Sequence, residues 1–336
     1  MPPLVSVVIA NWNGRCYMEK CLASLNAQTY PSLEIIVVDN GSADGSRDWL
    51  VEHYPAVQVI ANKENRGFAV ANNQGISRSR GVYVALLNND AWAEPDWLSC
   101  LVAAVEQDPN IGMAASLMLL ADQPERVDSA GACVDRFGIS WDRLSGEPAA
   151  ASAASPAPVF GASAGAALYR RQLLDQTAGF DEDFFNYLED VDLAWRALWL
   201  GWRAVYEPAA RVYHVHSGTS GAGSAFKTYW LARNKIGLIL KNYPRPQLWY
   251  YWPLILLYDG LSLGAALLAP QRWSALRGRL DGWRLLGRTL AKRRALQAMA
   301  RVPAAEVFRR LAPPATPWQV RHRFQHRAGP GSRAWH

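Results

Sequence analysis

Apolar segments rich in β-branched residues alternate with helical patterns along the N-terminal part of the chain. The apolar segments, predicted as strands, cover residues 5–10, 33–38, 57–60, 82–87 and a fifth that begins at Ile111. Helical patterns lie between them, near residues 16–25, 44–53, 68–78 and 95–107. Because the strands are almost continuously apolar and alternate with helices, this pattern predicts an α/β fold whose mostly parallel sheet is flanked by helices.

Polar residues stand where the predicted strands end. They are Asn11 after the first strand, Asp39 after the second, Asn88-Asn89-Asp90 after the fourth, and the loop Asn65-Arg66-Gly67 before the third helix. Turn chemistry or helix capping accounts for any one of them alone. Ligands of such sheets bind outside the carboxyl ends of the strands, so several polar residues at equivalent ends predict one cleft.

Two motifs that the sequence lacks narrow the classes of ligand expected in this cleft. It contains neither G-x-G-x-x-G after the first strand nor G-x-x-x-x-G-K-[ST], so a dinucleotide-cofactor fold and a P-loop are not supported. Asp90 is a carboxylate at the end of a rigid strand. Such a group suits a hard divalent cation that bridges two phosphates of a nucleotide ligand.

Two segments follow the fifth strand. Residues 122–158 are rich in Ala, Ser and Pro, and this composition favours a variable insertion or mobile loop. Residues 161–167 are all small, and around Gly165 the backbone can approach a ligand closely or form a tight packing corner.

An acidic cluster opens the helix predicted over residues 186–200. Glu189, Asp190 and Asp192 lie in its first turns, beside an apolar stripe at helical spacing. The helix dipole favours acidic residues at this end, which is a purely structural explanation. The functional interpretation is that Asp190 points into the cleft as a general base.

Two histidines, His214 and His216, follow the next apolar stretch and precede a Gly- and Ser-rich run. Alternate residues of a strand share one side, so the pair suits a metal site, although a single His is more often structural.

Charge is divided unevenly along the 336 residues. Residues 1–226 carry 15 Lys and Arg against 26 Asp and Glu, whereas residues 227–336 carry 20 against 3. We expect the basic part to bind phosphate groups, either those of nucleic acid or those of lipid headgroups. The four cysteines form no CxxC pair, and the first residues lack a signal-peptide pattern, so we expect reduced thiols in the cytoplasm.

The basic part has features of a membrane-associating region. Residues 246–271 carry one charged residue, Asp259, and their basic flanks favour a re-entrant or interfacial hairpin over a single span. Beyond them, an apolar stripe surrounded by arginines predicts a surface-lying helix; the alternative is a helix packed on the catalytic domain. The stripe consists of Trp273, Leu276, Leu280, Trp283, Leu286 and Leu290. No nucleic-acid recognition fold accompanies the arginines.

Several motifs, in this order and spacing, resemble those of family 2 glycosyltransferases with the GT-A fold, and bacterial rhamnosyltransferase-like enzymes among them. They are Val5 to Gly14, Val38-Asp39-Asn40-Gly41-Ser42, Asn65-Arg66-Gly67-Phe68-Ala69 with Asn72, Leu87-Asn88-Asn89-Asp90, Phe180-Asp181-Glu182 and Glu189-Asp190-Val191-Asp192. The resemblance spans about residues 4–240.

The resemblance implies a role for each candidate residue. Asp39 contacts the base of a nucleoside diphosphate sugar, and Asn11 with residues 65–67 completes that pocket. Asn88-Asn89-Asp90 occupies the place of the family's D-x-D element, with Asn88 at its first acidic position. Asp90 and His214 bind Mg²⁺ or Mn²⁺. Asp190 is the base, Glu189 orients it or the acceptor, and Gly165 and Asp192 lie on the acceptor side.

The sequence therefore predicts three regions: a catalytic domain over residues 1–226, a helical membrane-associating region over 227–312 and a disordered basic tail over 313–336. The expected activity is inverting transfer of a sugar, favoured as rhamnose, to a glycan or polyprenyl-diphosphate-linked acceptor at the cytoplasmic face of the inner membrane. The alternatives are a nucleotidyltransferase, for which only Arg15 is a basic residue near the first loop, and a non-catalytic, membrane-tethered sugar-nucleotide binder.

Overall fold

The computed structural model describes residues 2–152, 154–215 and 224–314. Its strands are β1 (Val5–Asn11), β2 (Leu33–Asp39), β3 (Gln58–Ala61), β4 (Tyr83–Leu87), β5 (Ala91–Ala93), β6 (Ile111–Leu120), β7 (Gln123–Ser129), β8 (Ala132–Val134), β9 (Ser140–Asp142), β10 (Ala157–Val159), β11 (Ala166–Arg170) and β12 (Arg203–His214). Its α-helices are α1 (Arg15–Asn26), α2 (Ser46–His53), α3 (Phe68–Arg78), α4 (Trp97–Glu106), α5 (Arg171–Thr177), α6 (Glu189–Trp199), α7 (Ala225–Asn242), α8 (Arg245–Leu267), α9 (Arg272–Arg284), α10 (Leu286–Met299) and α11 (Ala304–Arg309).

The large sheet has the strand order β10-β12-β6-β11-β4-β1-β2-β3, with β5 paired to β12 and β7 to β6. Strands β3, β2, β1 and β4 are parallel, and β11 runs antiparallel between β4 and β6. In the parallel register of β1 and β2, Asn11 pairs with Asp39. This register brings two of the predicted polar strand ends side by side.

Apolar side chains cover both faces of the sheet, as the continuous apolar strands predicted. Val8, Ile36 and Val84 belong to the core on one face, which includes the buried residues of α6. Val7 and Val37 belong to the core on the opposite face, under α1 and α4. A mixed α/β sheet covered by helices is therefore confirmed.

Residues 122–158 do not form one loop as predicted, because the segment contains the strands β7, β8 and β9 and the beginning of β10. β7 pairs with β6, β8 with β9, and β10 with β12. The pairings of β7 and β10 join the segment to the large sheet, and β8 with β9 forms a separate two-stranded sheet. Its Ala-, Ser- and Pro-rich composition could not reveal these partners, because strand pairing depends on contacts elsewhere in the fold.

The predicted surface helix is divided into α9 and α10. α9 packs tightly on α7: a Cβ added to Gly278 would lie 2.4 Å from the carbonyl oxygen of Tyr229, and one added to Gly282 would lie 2.5 Å from that of Arg233. Trp273 and Leu280, at other positions around α9, are exposed. Among the described residues, no helix combines the length and the apolar character needed to cross a bilayer.

Among the described residues, Cys16, Cys21, Cys100 and Cys133 form no disulfide. His216 and residues 315–336 of the predicted basic tail lie outside the described residues.

Candidate active site

A cavity of about 630 Å³ lies at the carboxyl ends of β1 and β4. Ten of the residues singled out from the sequence lie on its wall: Asn11, Asn65, Gly67, Asn88, Asn89, Asp90, Gly165, Glu189, Asp190 and His214. Leu231, Lys235, Tyr258 and Arg279, from α7, α8 and α9, line it as well. The cavity thus joins the predicted catalytic domain to the C-terminal helices.

Asp39 is buried beside Asn11, and its expected contact with the nucleotide base stays a prediction. The Nδ2 atom of Asn11 donates to Oδ2 of Asp39 over 3.0 Å, and the backbone N–H of Ser42 donates to Oδ1 over 3.1 Å. Asn11 also accepts a hydrogen bond of 2.8 Å from Asn89. The β1–β2 register causes this arrangement, so Asp39 orients the wall residue Asn11 without lining the cavity.

The loop of residues 65–67 is shaped by Asn40. Its Nδ2 atom donates to Oδ1 of Asn65 over 2.9 Å, and the same oxygen accepts from the backbone N–H of Gly67. Gly67 has a φ of +87°, and a Cβ on it would lie 2.6 Å from Phe185. Arg66, between Asn65 and Gly67, is exposed beside the cavity, and its expected role in the donor pocket stays a prediction.

Asp90 and His214 meet where β4 and β12 end. Oδ1 of Asp90 lies 3.2 Å from Nε2 of His214, and Oδ2 of Asp128 lies 2.6 Å from Nδ1 of the same ring. Burial disfavours the charged imidazole, but hydrogen bonds to Asp128 and Asp90 outweigh burial and raise the pKa of His214 to about 10. Asn88 completes the surroundings, with Nδ2 3.2 Å from Nε2.

This cluster fits a divalent cation. Two buried carboxylates around one imidazole favour positive charge, and Asp90 and the Nε2 atom of His214 are common ligand types for Mn²⁺ and related ions. A ligating His usually donates its other ring N–H to a carboxylate, and Asp128 is placed for that contact. In the part of the chain that the structure describes, no ready-made group of three or more His, Cys, Asp or Glu ligands was found.

Glu189 and Asp190 begin α6 at the opposite part of the wall. Oδ2 of Asp190 accepts from the backbone N–H of Ala164 over 3.2 Å. Burial, helped by the negative charge of Asp142, raises the pKa of Asp190 to about 6. Burial and the charge of Asp190 raise the pKa of Glu189 well above its usual range. Asp190 is thus able to accept a proton.

Asp192 was predicted on the acceptor side, and this prediction was wrong. Its side chain is fully buried and accepts hydrogen bonds from Arg196 (2.7 Å), Lys241 (2.9 Å) and Asn242 (2.7 Å). Two residues along a helix turn the side chain by about 200°, so Asp192 faces away from the direction of Asp190. Its role is to hold α6 against α7.

Gly165 does line the cavity. Its carbonyl oxygen accepts from the backbone N–H of Asn88 over 2.8 Å, and a Cβ on it would lie 2.9 Å from the Cε atom of Met118. This close approach explains the small residue.

Sequence reasoning missed Asp128 and Asp142, which both lie in the segment interpreted as a loop. The one available signal was the short apolar-to-acidic step at Val127 and Asp128, which the surrounding composition obscured.

Solved structures with low sequence identity share the fold. A mannosyltransferase from Pyrobaculum calidifontis, solved with GDP-Man and Mn²⁺, has a TM-score of 0.52 and 19% identity, over 91% of this chain and 85% of its own. The structure of GalNAc-T7 with UDP, GalNAc and Mn²⁺ has a TM-score of 0.62 and 16% identity, over 90% of this chain and 58% of its own. These similarities confirm the GT-A type architecture.

Sequence comparisons give the family. An N-acetylglucosaminyl-diphospho-decaprenol L-rhamnosyltransferase of Mycobacterium tuberculosis is 28% identical over 248 residues, which are 67% of this chain and 80% of the relative. The model of the family described as "Glycosyl transferase family 2" matches residues 6–177, slightly more than half of the chain. By this match, the chain belongs to glycosyl transferase family 2.

Proposed function

We propose that this glycosyltransferase transfers L-rhamnose from deoxythymidine diphosphate rhamnose to a hydroxyl of a polyprenyl-diphosphate-linked glycan, with inversion at the anomeric carbon. The mycobacterial relative supports the sugar and the acceptor class, because its name specifies L-rhamnose transfer and a diphospho-decaprenol acceptor. The family membership supports a nucleotide-sugar donor.

One observation carries this proposal: a single cavity is lined by a cation-favouring cluster, Asp90 with His214, and by a carboxylate with a pKa near neutrality, Asp190. An inverting, cation-assisted transfer from a nucleoside diphosphate sugar uses both features. One must hold the diphosphate that leaves, and the other must remove the proton of the incoming hydroxyl.

In the proposed reaction, Asn11, Asn89 and residues 65–67 bind the nucleotide and orient the donor. Oδ1 or Oδ2 of Asp190 accepts the proton of the acceptor hydroxyl while its oxygen attacks the anomeric carbon in line with the diphosphate. The C–O bond to the diphosphate breaks as the new glycosidic bond forms. A single displacement of this kind inverts the anomeric configuration.

Asp90 and His214 would hold Mg²⁺ or Mn²⁺, with Asp128 orienting the His214 ring. Such a cation, when bound, offsets the charge of the departing diphosphate. The presence of Mn²⁺ in the mannosyltransferase and GalNAc-T7 structures supports this choice of cofactor.

The acceptor approaches from the side of α7 to α9, and the same helices dock the enzyme on the cytoplasmic face of the inner membrane. Trp273 and Leu280 support docking, since they are 72% and 60% exposed on α9 beside the exposed Arg277 and Arg284. Exposed Trp and Leu next to Arg match a helix that lies in the headgroup region.

A donor screen tests the proposal. Thermal unfolding is measured with Mn²⁺ and a set of nucleoside diphosphate sugars, followed by product analysis with N-acetylglucosaminyl-diphospho-prenol as acceptor. We expect deoxythymidine diphosphate rhamnose to stabilise the fold by about 2.7 kcal/mol at a hundredfold excess over its dissociation constant. If only a different sugar nucleotide stabilised the protein and served as donor, the proposed donor would be contradicted. A product with retained anomeric configuration would contradict inversion.

A further inference from the structure

Three residues shortly before the candidate base Asp190 have positive φ angles. The φ angles are +59° at Phe185, +68° at Tyr187 and +70° at Leu188, and α6 begins at Glu189. None of these residues is Gly, so each conformation is strained. Strain of this kind persists only where surrounding contacts hold the backbone in place.

The contacts come from Asn234, a buried residue in the middle of α7. Its Nδ2 atom lies 2.8 Å from the carbonyl oxygen of Phe184, 3.0 Å from that of Asn186 and 2.9 Å from that of Tyr187. An amide NH₂ group has two hydrogens, so the three carbonyls share them. One side chain therefore binds three carbonyl groups of the strained segment.

The orientation of this amide is itself determined. Oδ1 of Asn234 accepts from Nη1 of Arg233 over 2.8 Å, and the same Nη1 atom donates to the carbonyl oxygen of Asp183. With its oxygen turned toward the guanidinium, the NH₂ group must face the carbonyls. Arg233 and Asn234 thus hold both ends of the turn that leads into α6.

Neighbouring contacts fix the same segment from other sides. The Phe185 ring stacks on Trp230 of α7 at 4.4 Å, and the Phe185 carbonyl accepts from the backbone N–H of Ala69 in α3. The close packing of α7 on α9 keeps the helix that carries Asn234 in position. The turn therefore has few ways to relax while Asn234 is present.

We infer that Asn234 is a positioning residue for glycosyl transfer: by gathering three carbonyls of residues 184–187, it sets where α6 begins and so aims Glu189 and Asp190 into the cavity. This inference rests on the proposed role of Asp190 as base. Asn234 contacts no reacting atom in this scheme, and it acts through the backbone alone.

A misplaced base lowers the rate without changing donor binding. Displacement of a reacting group by about 1 Å costs on the order of 10²-fold in rate. The nucleotide side of the cavity is held by Asn11, Asn40 and Asn89, which do not touch Asn234. Loss of the Asn234 contacts should therefore act more strongly on kcat than on the donor KM, which can change slightly because Phe185 also packs against Gly67.

The decisive variant is Asn234→Asp, which keeps the size of the side chain but replaces the NH₂ donor with an oxygen that repels the three carbonyls. Asn234→Ala removes the contacts without adding charge. The matched control is Asn73→Ala. Asn73 of α3 binds the backbone N–H and carbonyl of Phe180 in a similar way, but Phe180 precedes the strained turn.

Two measurements on the full chain decide the matter. Hydrogen exchange of the amides of residues 185–191, which needs no substrate, should speed up at least tenfold in both Asn234 variants and stay unchanged in Asn73→Ala. With deoxythymidine diphosphate rhamnose, Mn²⁺ and N-acetylglucosaminyl-diphospho-prenol, kcat of the Asn234 variants should fall on the order of 10²-fold, and the donor KM should change much less. The acid limb of their pH profile should also move to lower pH, because a displaced Asp190 is better solvated.

Unchanged exchange at residues 185–191 in Asn234→Asp would overturn the inference whatever the donor. The inference would also be overturned if kcat fell only in proportion to the fraction of unfolded protein and the pH profile did not move. Failure of the proposed function is distinguishable from both results, because the unmodified protein would then transfer no rhamnose while the exchange measurement still applied. Full activity of Asp190→Asn would contradict the role of Asp190 as base, on which the inference rests.

Discussion

The Nδ1 atom of His214 lies 2.6 Å from the Oδ2 atom of Asp128. The two residues are 86 positions apart, and the contact exists because β7 pairs with β6, which in turn pairs with β12. The carboxylate holds one nitrogen of the ring, so the other nitrogen is turned toward Asp90. The orientation of the candidate cation site is therefore set by a residue from the segment that looked least structured in the sequence.

Asp128→Asn should lower the affinity for Mn²⁺ by about 10- to 100-fold, since the amide no longer holds His214 as a carboxylate does. The measurement is calorimetric titration of Mn²⁺ into the protein with deoxythymidine diphosphate present. The control is Asp122→Asn, an exposed residue of the same segment. Equal affinities in the Asp128 variant and the unmodified protein would show that Asp128 does not support a cation ligand.

Asp190→Asn should leave donor binding nearly intact and reduce turnover by about 10²- to 10⁴-fold, because an amide cannot accept the proton of the hydroxyl. Donor binding is measured by thermal shift and turnover by product formation. Asp175→Asn, at an exposed carboxylate of α5, controls for the loss of one negative charge. Near-normal turnover in Asp190→Asn would assign the base to another residue.

The activity should fall as the pH drops through about 6, because the base works only in its ionised form and the pKa of Asp190 is raised to about 6. Below that pH, kcat should decrease tenfold per unit. Asp142→Asn removes a negative charge that raises this pKa, so it should move the acid limb to lower pH. A limb that stays in place in this variant would show that Asp142 does not act on the titrating group.

Asp192→Asn should destabilise the fold by about 3–5 kcal/mol, since it weakens a buried set of charged contacts to Arg196 and Lys241. Denaturant unfolding measures the change. The exposed Asp48 of α2 supplies the control variant Asp48→Asn. The folded fraction should bind the donor normally. Loss of donor binding by the protein that remains folded would show that Asp192 belongs to the binding site.

Replacing Trp273 with Ala and Leu280 with Ser should weaken binding to vesicles that contain phosphatidylglycerol by at least about tenfold, because both side chains lose apolar area that can enter the headgroup region. Cosedimentation measures the bound fraction. Val51→Ser, at an exposed apolar residue of α2, is the control. Equal binding of the doubly substituted protein, the Val51→Ser control and the unmodified protein would argue against docking through α9. Point variants are preferable to truncation after Tyr243, which would also remove Lys292 of α10 and its contacts to Asp181 and Asp183.

Local patterns were sufficient for the parallel part of the fold. Strands β1 to β4 and the helices between them follow from apolar runs and helical spacing, and the polar ends at Asn11 and Asp90 do reach one cavity. The helix predicted from residue 186 begins instead at Glu189. The difference arises from the positive φ angles at Tyr187 and Leu188, which Asn234 holds from a distant helix.

Two acidic residues of α6 show the limit of such reasoning. Asp190 and Asp192 have the same chemistry and nearly the same position in the sequence, yet one lines the cavity and the other is buried beside Lys241. No local signal separates them, because the difference depends on which neighbour each helix face meets.

The sequence by itself determined the alternating strands and helices, the polar strand ends and the family motifs, since these depend on short-range periodicity and residue chemistry. Only the tertiary structure decided that Asp39 is buried beside Asn11, that Asp128 orients His214 and that Asn234 of α7 holds the turn before Asp190. Each of these contacts joins residues that are distant in the chain, and their partners are selected by strand register and helix packing.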